Sequence, residues 1–450
     1  MDTLDKLQVV KLSAVKPGPV KVRGWLEKVT AFKKHSICVL RDGVGKESRI
    51  QVYIPASVAS SLVQESYVEI TGTVQELPTG KHSFRPFELQ ASQLLVLGKS
   101  CSDFSSRCPP DAGPEVRLDQ RHLFIRYLEQ GLTIKLRAIL ARAVRETYEE
   151  MGCVEIIPSL FVGCQCEGGA TLFELDYPVK GSETKKMKVY LAQSSQPTLE
   201  KTVPAVGGCY CFSQSFRAET SDTRRHLTEF PHVESEHPGI DTLEDLLDIE
   251  RFLVKGIVSK FLHYGRKYLE ELGLVEHVEK CLKMCSDIIT LTHREAIEYC
   301  RSHEIFKDED KKIHFEFEDD IPEKQERIMV DQMDKMIFLV KFHRSFKSFY
   351  MLRDPKDREY VLGCDLETPQ VGEVLGSGLR VYDSDELLSA LKEQGLREED
   401  YSEYMDLRKY GSGRTAGLGL GFDRFLTWLL KAYTIRDVVT FPHVPGRVYQ

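Results

Sequence analysis

Apolar and polar residues alternate with period two through five short runs between residues 20 and 98: VKVRGWLEKV, SICVLRD, RIQVYI, YVEITGTVQEL and FELQASQLLVL. Alternation at that period turns one face of each run inward and the other to water, as in half-buried strands. DGVGKES and PTGKHS separate the runs as turns. So many short strands in one compact stretch predict a small barrel, and an oligonucleotide-binding (OB) barrel is one such solution. The pattern lapses over residues 99–116, where SCSDFSSRCPPDAGP has no periodicity. Its Ser and Pro content predicts a linker between a domain at 1–98 and a larger one at 117–450.

Beyond the linker the period lengthens. Leu132, Leu136, Ile139, Leu140, Ala143, Val144, Thr147 and Tyr148 recur on one helical face. VEIIP predicts a buried strand ended by Pro158, and VYLAQ, GCYCFSQSFRAE and HVESE predict further strands. Thr242 and Asp245 have the spacing of a capping box, opening a long helix with Leu246, Phe252, Leu253, Ile257, Phe261 and Leu262 on its apolar face. THREAIEYC and SDELLSALKEQGL predict helices. REYVLGCDLETPQVGEVLGSGLRVY predicts strands with glycine bends, and GLGLGFDRFLTWLLKAY a glycine strand running into a helix. Strands and helices without βαβ alternation predict an α+β fold with a largely antiparallel sheet.

Composition narrows the function. The net charge is -8, with 29% charged and 42% hydrophobic residues. That excludes a protein that coats nucleic acid by bulk charge, but not one local basic groove. No run approaches the roughly 18 apolar residues of a membrane span. The first residues carry early aspartates and no apolar core, so neither a targeting peptide nor a membrane partner is expected. The 12 cysteines include no pair of CxxC motifs, which predicts reduced thiols in a cytoplasmic protein.

Three stretches carry candidate chemistry. In FRAETSDTRRHLTEF, strand alternation sets Arg217 and Glu219 on one face. Arg224, Arg225 and His226 follow, and guanidinium forks match phosphate oxygens. Phe230 offers a flat partner for a purine. A charged hairpin closed by ordinary salt bridges fits the same residues. In GLGLGFDRF, Gly417, Gly419 and Gly421 leave one strand face bare, and Arg424 stands near the next helix. The spacing is not that of a dinucleotide fold. In CDLETPQVGEVLGSGLR, Asp365 and Glu373 could share a Mg²⁺, and Arg380 could meet a carboxylate or an amide oxygen.

Together these stretches resemble the three signature motifs of class II aminoacyl-tRNA synthetases, the first being the helix and strand that end at Pro158. The order GWL, LRDG, RHL, EGGATLFELDY, LAQSSQ, FRAE, RRHLTEF, KSFYM, VGEVLGSGLR, DLRKYG, IRDVVTFP is similar to the asparaginyl and aspartyl enzymes. Leu199 followed by Glu200 stands where aspartyl enzymes have a lysine, so the resemblance is nearer to the asparaginyl group, with the aspartyl group as the alternative. The family implies ATP and Mg²⁺ as cofactors, asparagine and tRNA(Asn) as partners with no role for DNA, and a homodimer. It further implies Glu167, Gln193 and Gln196 at the amino acid, with Arg217 bridging its carboxylate to the α-phosphate and Arg380 at its side chain. ATP would meet Arg217, Glu219, Arg225, His226, Leu227, Phe230, Glu373, Gly421, Phe422, Asp423 and Arg424. Arg217 and Arg424 would be catalytic. Asp365 and Glu373 would hold the metal, and Gln51 and Glu88 would read the anticodon. The sequence departs from the family at Asp423, usually Glu, at Arg414-Thr415, usually Pro-His, and at Ile37, usually an aromatic.

Overall fold

The computed structural model describes residues 7–58, 62–77, 83–164, 166, 171–182, 184–220, 223–411 and 413–449. The chain divides into two compact units, Met1–Leu136 with Lys267–Gly273, and Arg137–Arg266 with Leu274–Gln450.

The first unit holds β1 (Gly18–Ala31), β2 (His35–Arg41), β3 (Arg49–Pro55), β4 (Tyr67–Glu76) and β5 (Phe87–Gly98). β1 pairs with β2 and β4, β2 with β3, β3 with β5, and β5 with β4, so the sheet closes on itself. Closure leaves no bare edge among the five. The inward residues Val22, Leu26, Leu40, Ile50, Val52, Ile54, Val68, Ile70 and Leu89 are the ones the period-two pattern selects, and all are buried. Gly24 in β1 and Gly72 in β4 permit the tight curl: a Cβ there would strike the carbonyl oxygens of Arg41 and Gln90. The expected OB barrel is thus present.

Residues 99–116 differ from the expected plain linker. They form short helices at Phe104–Arg107 and Pro114–Asp119, with Phe104, Cys108 and Leu118 buried. The Tyr127 hydroxyl donates to the Cys108 carbonyl at 2.5 Å. Three apolar anchors in a Ser/Pro run suffice to fix it, and composition alone does not reveal them.

The second unit is built on a sheet of β6 (Val154–Glu155), β7 (Cys209–Phe216), β8 (Glu229–Pro238), β9 (Ile289–Thr292), β10 (Ile337–His343), β11 (Tyr360–Thr368), β12 (Gly372–Leu379) and β13 (Thr415–Gly421). Their order is β9-β10-β11-β12-β13-β8-β7-β6. The outer pairs β9–β10 and β6–β7 are parallel; the other five pairings are antiparallel. Helices α1 (Leu128–Glu150), α2 (Gln196–Val206), α3 (Leu243–Leu272), α4 (Glu323–Met333), α5 (Ser402–Lys409) and α6 (Phe422–Leu429) belong to the same α+β frame. The capping box at the start of α3 is formed: Thr242 N–H donates to Asp245 at 2.9 Å and Asp245 N–H to Thr242 at 3.2 Å.

Two expectations fail here. VEIIP is not buried: Ile157 is 95% exposed, because β6 is the outermost strand of the sheet. On α3, Phe252 is half exposed, whereas Glu250 is fully buried. The sheet offers polar groups at that point, and the Ser377 hydroxyl donates to Glu250 at 2.6 Å. Burial pushes the Glu250 carboxyl up to about 8.

Candidate functional site

Sheet register assembles the site. Across β11, β12, β13 and β8, one row reads Asp365, Gly376, Gly419, Glu234, and the next reads Gly363, Gly378, Gly417, Glu236. Glycine pairs thus floor the centre of the sheet, with acids at the flanks. The bare face predicted for β13 exists, but protein side chains share it. A Cβ on Gly417 would run into the Glu236 carboxylate and the Arg380 guanidinium, and one on Gly419 would lie 2.5 Å from His232 Nε2.

Two cavities adjoin above this floor. The smaller, about 70 Å³, is lined by the β7–β8 connection and the β13–α6 junction. Arg217, Arg225, His226, Leu227, Phe230, Glu373, Gly421, Asp423 and Arg424 all face it. Arg424 donates to Glu373 at 3.0 Å, and Arg225 lies 3.7 Å from the same carboxylate. Arg424, Arg225 and other cations hold Glu373 down at about 2 against the opposing effect of burial. The three arginines also burden one another: burial and the neighbouring Arg225 and Arg217 lower Arg424, although Glu373 opposes them. Such a knot of like charge suits a polyanion, which would relieve it. The Arg217 guanidinium lies 5.6 Å from the centre of the Phe230 ring, so a flat group and a phosphate would find partners side by side. The same burial, with Arg424 and Arg225 close by, keeps His226 below its ordinary value.

The larger cavity, about 250 Å³, shares Arg217, His232, Glu373 and Gly419 with the first. Arg380 lines it and is anchored from outside the lining by Glu236: Arg380 Nη2 donates to Glu236 Oε2 at 2.9 Å, and Nε lies 3.1 and 3.2 Å from the two carboxylate oxygens. Glu236 is 0% and Arg380 5% exposed. Behind them, Glu200 accepts from Gln196 at 2.9 Å, Tyr404 at 2.7 Å and Arg408 at 2.8 Å, and stands 3.8 Å from Arg380. The charges of Glu236, Arg380, Glu200 and Arg408 cancel, which lets the network be buried. Burial and Glu200 still push Glu236 up, against the pull of Arg380. A guanidinium fixed in this way offers a donor to an amide or carboxylate oxygen in the cavity.

Asp365 and Glu373 flank one gap. A Cβ on Gly376 would lie 3.4 Å from an oxygen of each. Lys347 sits on Asp365 at 2.5 Å. Among the described residues no group of three or more His, Cys, Asp or Glu could hold a metal alone. Two hard carboxylates beside an arginine-lined cavity nonetheless fit Mg²⁺, which keeps waters and substrate phosphates as ligands.

The remaining expected residues fall around these cavities. Gln196 lines the larger one, while Gln193 borders a separate cleft with Cys166. Glu219 lines neither, but its charge bears on His226. Phe422 is buried with its ring 4.8 Å from Phe212. Asp423 pairs with Arg137 of α1, and burial pushes its carboxyl up to about 6. Arg414 is turned to solvent, 2.9 Å from Asp241. Glu167 lies outside the described residues. In the barrel, the Gln51 amide donates to Glu88 at 2.8 Å. Sequence reasoning passed over Glu236, Lys347 and the Glu200 network. The signal for Glu236 was there: in HVESE, alternation puts His232, Glu234 and Glu236 on one face.

Residues 113–445 match the model for class II tRNA synthetases (D, K and N), and residues 20–97 the model for the OB-fold nucleic acid binding domain. The chain belongs to the class II tRNA synthetases. Relatives include the cytoplasmic asparagine–tRNA ligases of Dictyostelium discoideum, 36% identical over 95% of this chain, and of Homo sapiens, 35% identical over 95%. The chain spans 64% of the first and 76% of the second. Among solved structures it resembles the asparaginyl-tRNA synthetase of Entamoeba histolytica in complex with asparaginyl-adenylate, at 30% identity and a TM-score of 0.86, covering 99% of this chain and 100% of that one. The Pyrococcus horikoshii asparaginyl-tRNA synthetase complexed with asparaginyl-adenylate gives 32% and 0.86, covering 98% and 100%. An aspartyl-type structure from Leishmania major shares the fold at 20% identity. The expected class II synthetase, nearer to the asparaginyl than to the aspartyl group, is borne out.

Proposed function

We propose that this synthetase ligates asparagine to tRNA(Asn) in the cytoplasm, by way of an asparaginyl-adenylate. The observation that carries the reading is Arg380 on the lining of the larger cavity, its guanidinium held by the buried Glu236. Asparagine would set its amide oxygen against Arg380. Aspartate would bring a further carboxylate toward an Arg380 already paired with Glu236, and Leu199, which lines the cavity, adds no charge to receive it.

ATP would take the smaller cavity, with adenine on Phe230 and the α-phosphate at Arg217. The asparagine carboxylate attacks the α-phosphorus, and the bond to pyrophosphate breaks. The terminal ribose hydroxyl of tRNA then attacks the adenylate carbonyl, and AMP leaves. A carboxylate is a nucleophile at neutral pH, so alignment and neutralisation of phosphate charge carry the acceleration. Arg217, Arg225 and Arg424 supply that charge from the protein. Asp365 and Glu373 would hold Mg²⁺, which adds further neutralisation when bound. Gln51 and Glu88 would meet anticodon bases on the barrel.

The active form would be a homodimer. Val154, Ile157, Leu160, Phe161, Leu175 and Met187, all more than a third exposed in one stretch of chain, are apolar side chains that a partner subunit would cover. Exchange of pyrophosphate into ATP, run with asparagine, aspartate and no amino acid and followed by charging of tRNA, tests the proposal. Exchange and charging with asparagine alone are expected. Exchange with aspartate instead, or none with either, would overturn it.

A further inference from the structure

The smaller cavity has a neighbour that the proposed function leaves unused. This third cavity, about 240 Å³, shares Arg225 with the smaller one. Arg224 and Arg225 reach it from the β7–β8 connection, Glu323 and Arg327 from the first turns of α4, Gln370 from the β11–β12 turn, and Tyr433 from the chain beyond α6. Among the described residues, three arginines thus line it against one carboxylate, in a chain whose net charge is -8.

Local structure places each arginine. Gly372 has a φ of +84°, and a Cβ there would stand 2.6 Å from Arg225 Nη1. Glycine therefore lets the guanidinium lie across the turn, where it donates to the Val371 carbonyl at 3.3 Å. The Arg224 carbonyl accepts from the Ile435 N–H at 2.9 Å and from the Thr434 hydroxyl at 3.0 Å, and its guanidinium lies 4.5 Å from the centre of the Tyr433 ring. Arg327 stands one helical turn after Glu323, with Nε 3.3 Å from that carboxylate. The contact is an ion pair without a hydrogen bond: the Nε atoms of both Arg327 and Arg225 are buried and have no hydrogen-bond partner. Two buried cationic donors left over around one cavity fit an anion with several oxygens.

We propose that this cavity receives the pyrophosphate released on adenylate formation, with Arg327 and Arg224 binding it and Arg225 passing it over from the smaller cavity. The inference rests on the proposed function, in which the ATP α-phosphate lies at Arg217 and the β- and γ-phosphates extend toward Arg225 and Arg424. When the carboxylate oxygen bonds to the α-phosphorus, the bond from phosphorus to the bridging oxygen breaks, and its electron pair leaves with pyrophosphate. The leaving group gains charge at that moment. Arg424 and Arg225 already share Glu373, at 3.0 and 3.7 Å, so Arg327 and Arg224 are the cations left to take up the added charge. Once behind Arg225, pyrophosphate is kept from attacking the adenylate before tRNA arrives. By microscopic reversibility, pyrophosphate enters through the same cavity in the exchange reaction.

The test uses the full chain, with pyrophosphate itself as the probe. In the exchange reaction with asparagine, Arg327→Gln should raise the KM for pyrophosphate by about tenfold, the usual effect of losing one hydrogen bond to a charged group, while the KM values for ATP and asparagine stay within about twofold. Arg327→Lys keeps the charge but not the fork, and should fall between. Glu323→Gln should lower the KM for pyrophosphate, because it removes the carboxylate from the lining. A purely structural role for the Glu323–Arg327 pair would move both variants the same way and would overturn the proposal. Calorimetric titration of pyrophosphate without amino acid should give the same order of affinities, with orthophosphate weaker, and a thermal midpoint checks folding. An unchanged KM for pyrophosphate in Arg327→Gln would also overturn it. So would an equal rise in the KM for ATP, which would put the bound nucleotide's own phosphates there, or a loss confined to tRNA affinity, which would make the cavity a contact for the RNA backbone. Wild-type protein that gives no exchange with asparagine is instead a failure of the proposed function, and the titration then decides the cavity by itself.

Discussion

Replacing Glu236 with glutamine tests whether the charge that holds Arg380 governs amino-acid choice, as the proposed function requires. The substitution keeps shape and removes one charge. In the native pair Arg380 has three contacts to Glu236 between 2.9 and 3.2 Å, and its next carboxylate, Glu200, is at 3.8 Å. A hydrogen bond to a charged group contributes about 1.5–3 kcal/mol. Loss of one partner of a buried pair costs about 3–5 kcal/mol, part of which Glu200 would offset. Activation of asparagine should therefore fall by roughly ten- to a hundredfold. Aspartate behaves oppositely. Two carboxylates about 4 Å apart repel by about 4 kcal/mol at an effective dielectric near 20, close to a thousandfold in discrimination. Glutamine removes that barrier, so the ratio of kcat/KM for aspartate over asparagine should rise by two to three orders of magnitude. Pyrophosphate exchange with each amino acid measures it, with a thermal midpoint as folding control. A ratio within about threefold of wild type would refute the reasoning and leave the pair a structural one.

Three further outcomes are expected. Gly417→Ala puts a methyl group into the Glu236–Arg380 pair and should all but abolish asparagine activation, whereas Gly421→Ala, whose Cβ meets nothing nearer than 3.5 Å, should be mild; pyrophosphate exchange separates them. Arg424→Lys gives up the guanidinium fork that holds Glu373 and that the proposed function also turns to ATP, so the KM for ATP should rise at least about tenfold with the KM for asparagine nearly unchanged. Glu250 keeps its proton in the folded chain up to about pH 8 but loses it near pH 4.3 when unfolded. Stability should thus fall by at most about 1.4 kcal/mol per pH unit across that window and level off above it. Glu250→Gln should remove the slope, so that its urea midpoint exceeds wild type by more at pH 8 than at pH 5.

The site concentrates polar groups where a fold would otherwise bury hydrocarbon. Glu200, Glu234, Glu236, Arg380 and Asp423 are all nearly inaccessible to water. Each is held by a partner: Glu234 accepts from Ser194 and from the Ser195 N–H, and Asp423 is met by Arg137. Such a network stabilises little and positions much, because any member that moves leaves a neighbour unpaired. Asp423 retains one buried oxygen without a hydrogen bond, the local cost of the shorter acid at that position.

The sequence by itself determined the closed barrel, since period two selects one face of each strand and the turns are punctuated by glycine. It determined the α3 cap, because Thr242 and Asp245 act over three residues. It also exposed Arg217 and Arg225, which line the smaller cavity and whose spacing is local to one hairpin. What lay beyond it was decided by contacts between strands distant in the chain. Glu236 meets Arg380 across β13 only through sheet register, and Lys347 reaches Asp365 only because β11 lies beside β10. Burial escaped it for the same reason: VEIIP has the composition of a core strand, but a strand is buried only if something covers it, and β6 ends the sheet. Local patterns record which face is apolar. Tertiary structure decides which polar groups share the space between faces, and in this chain Arg380, Glu236 and Glu200 meet in that space.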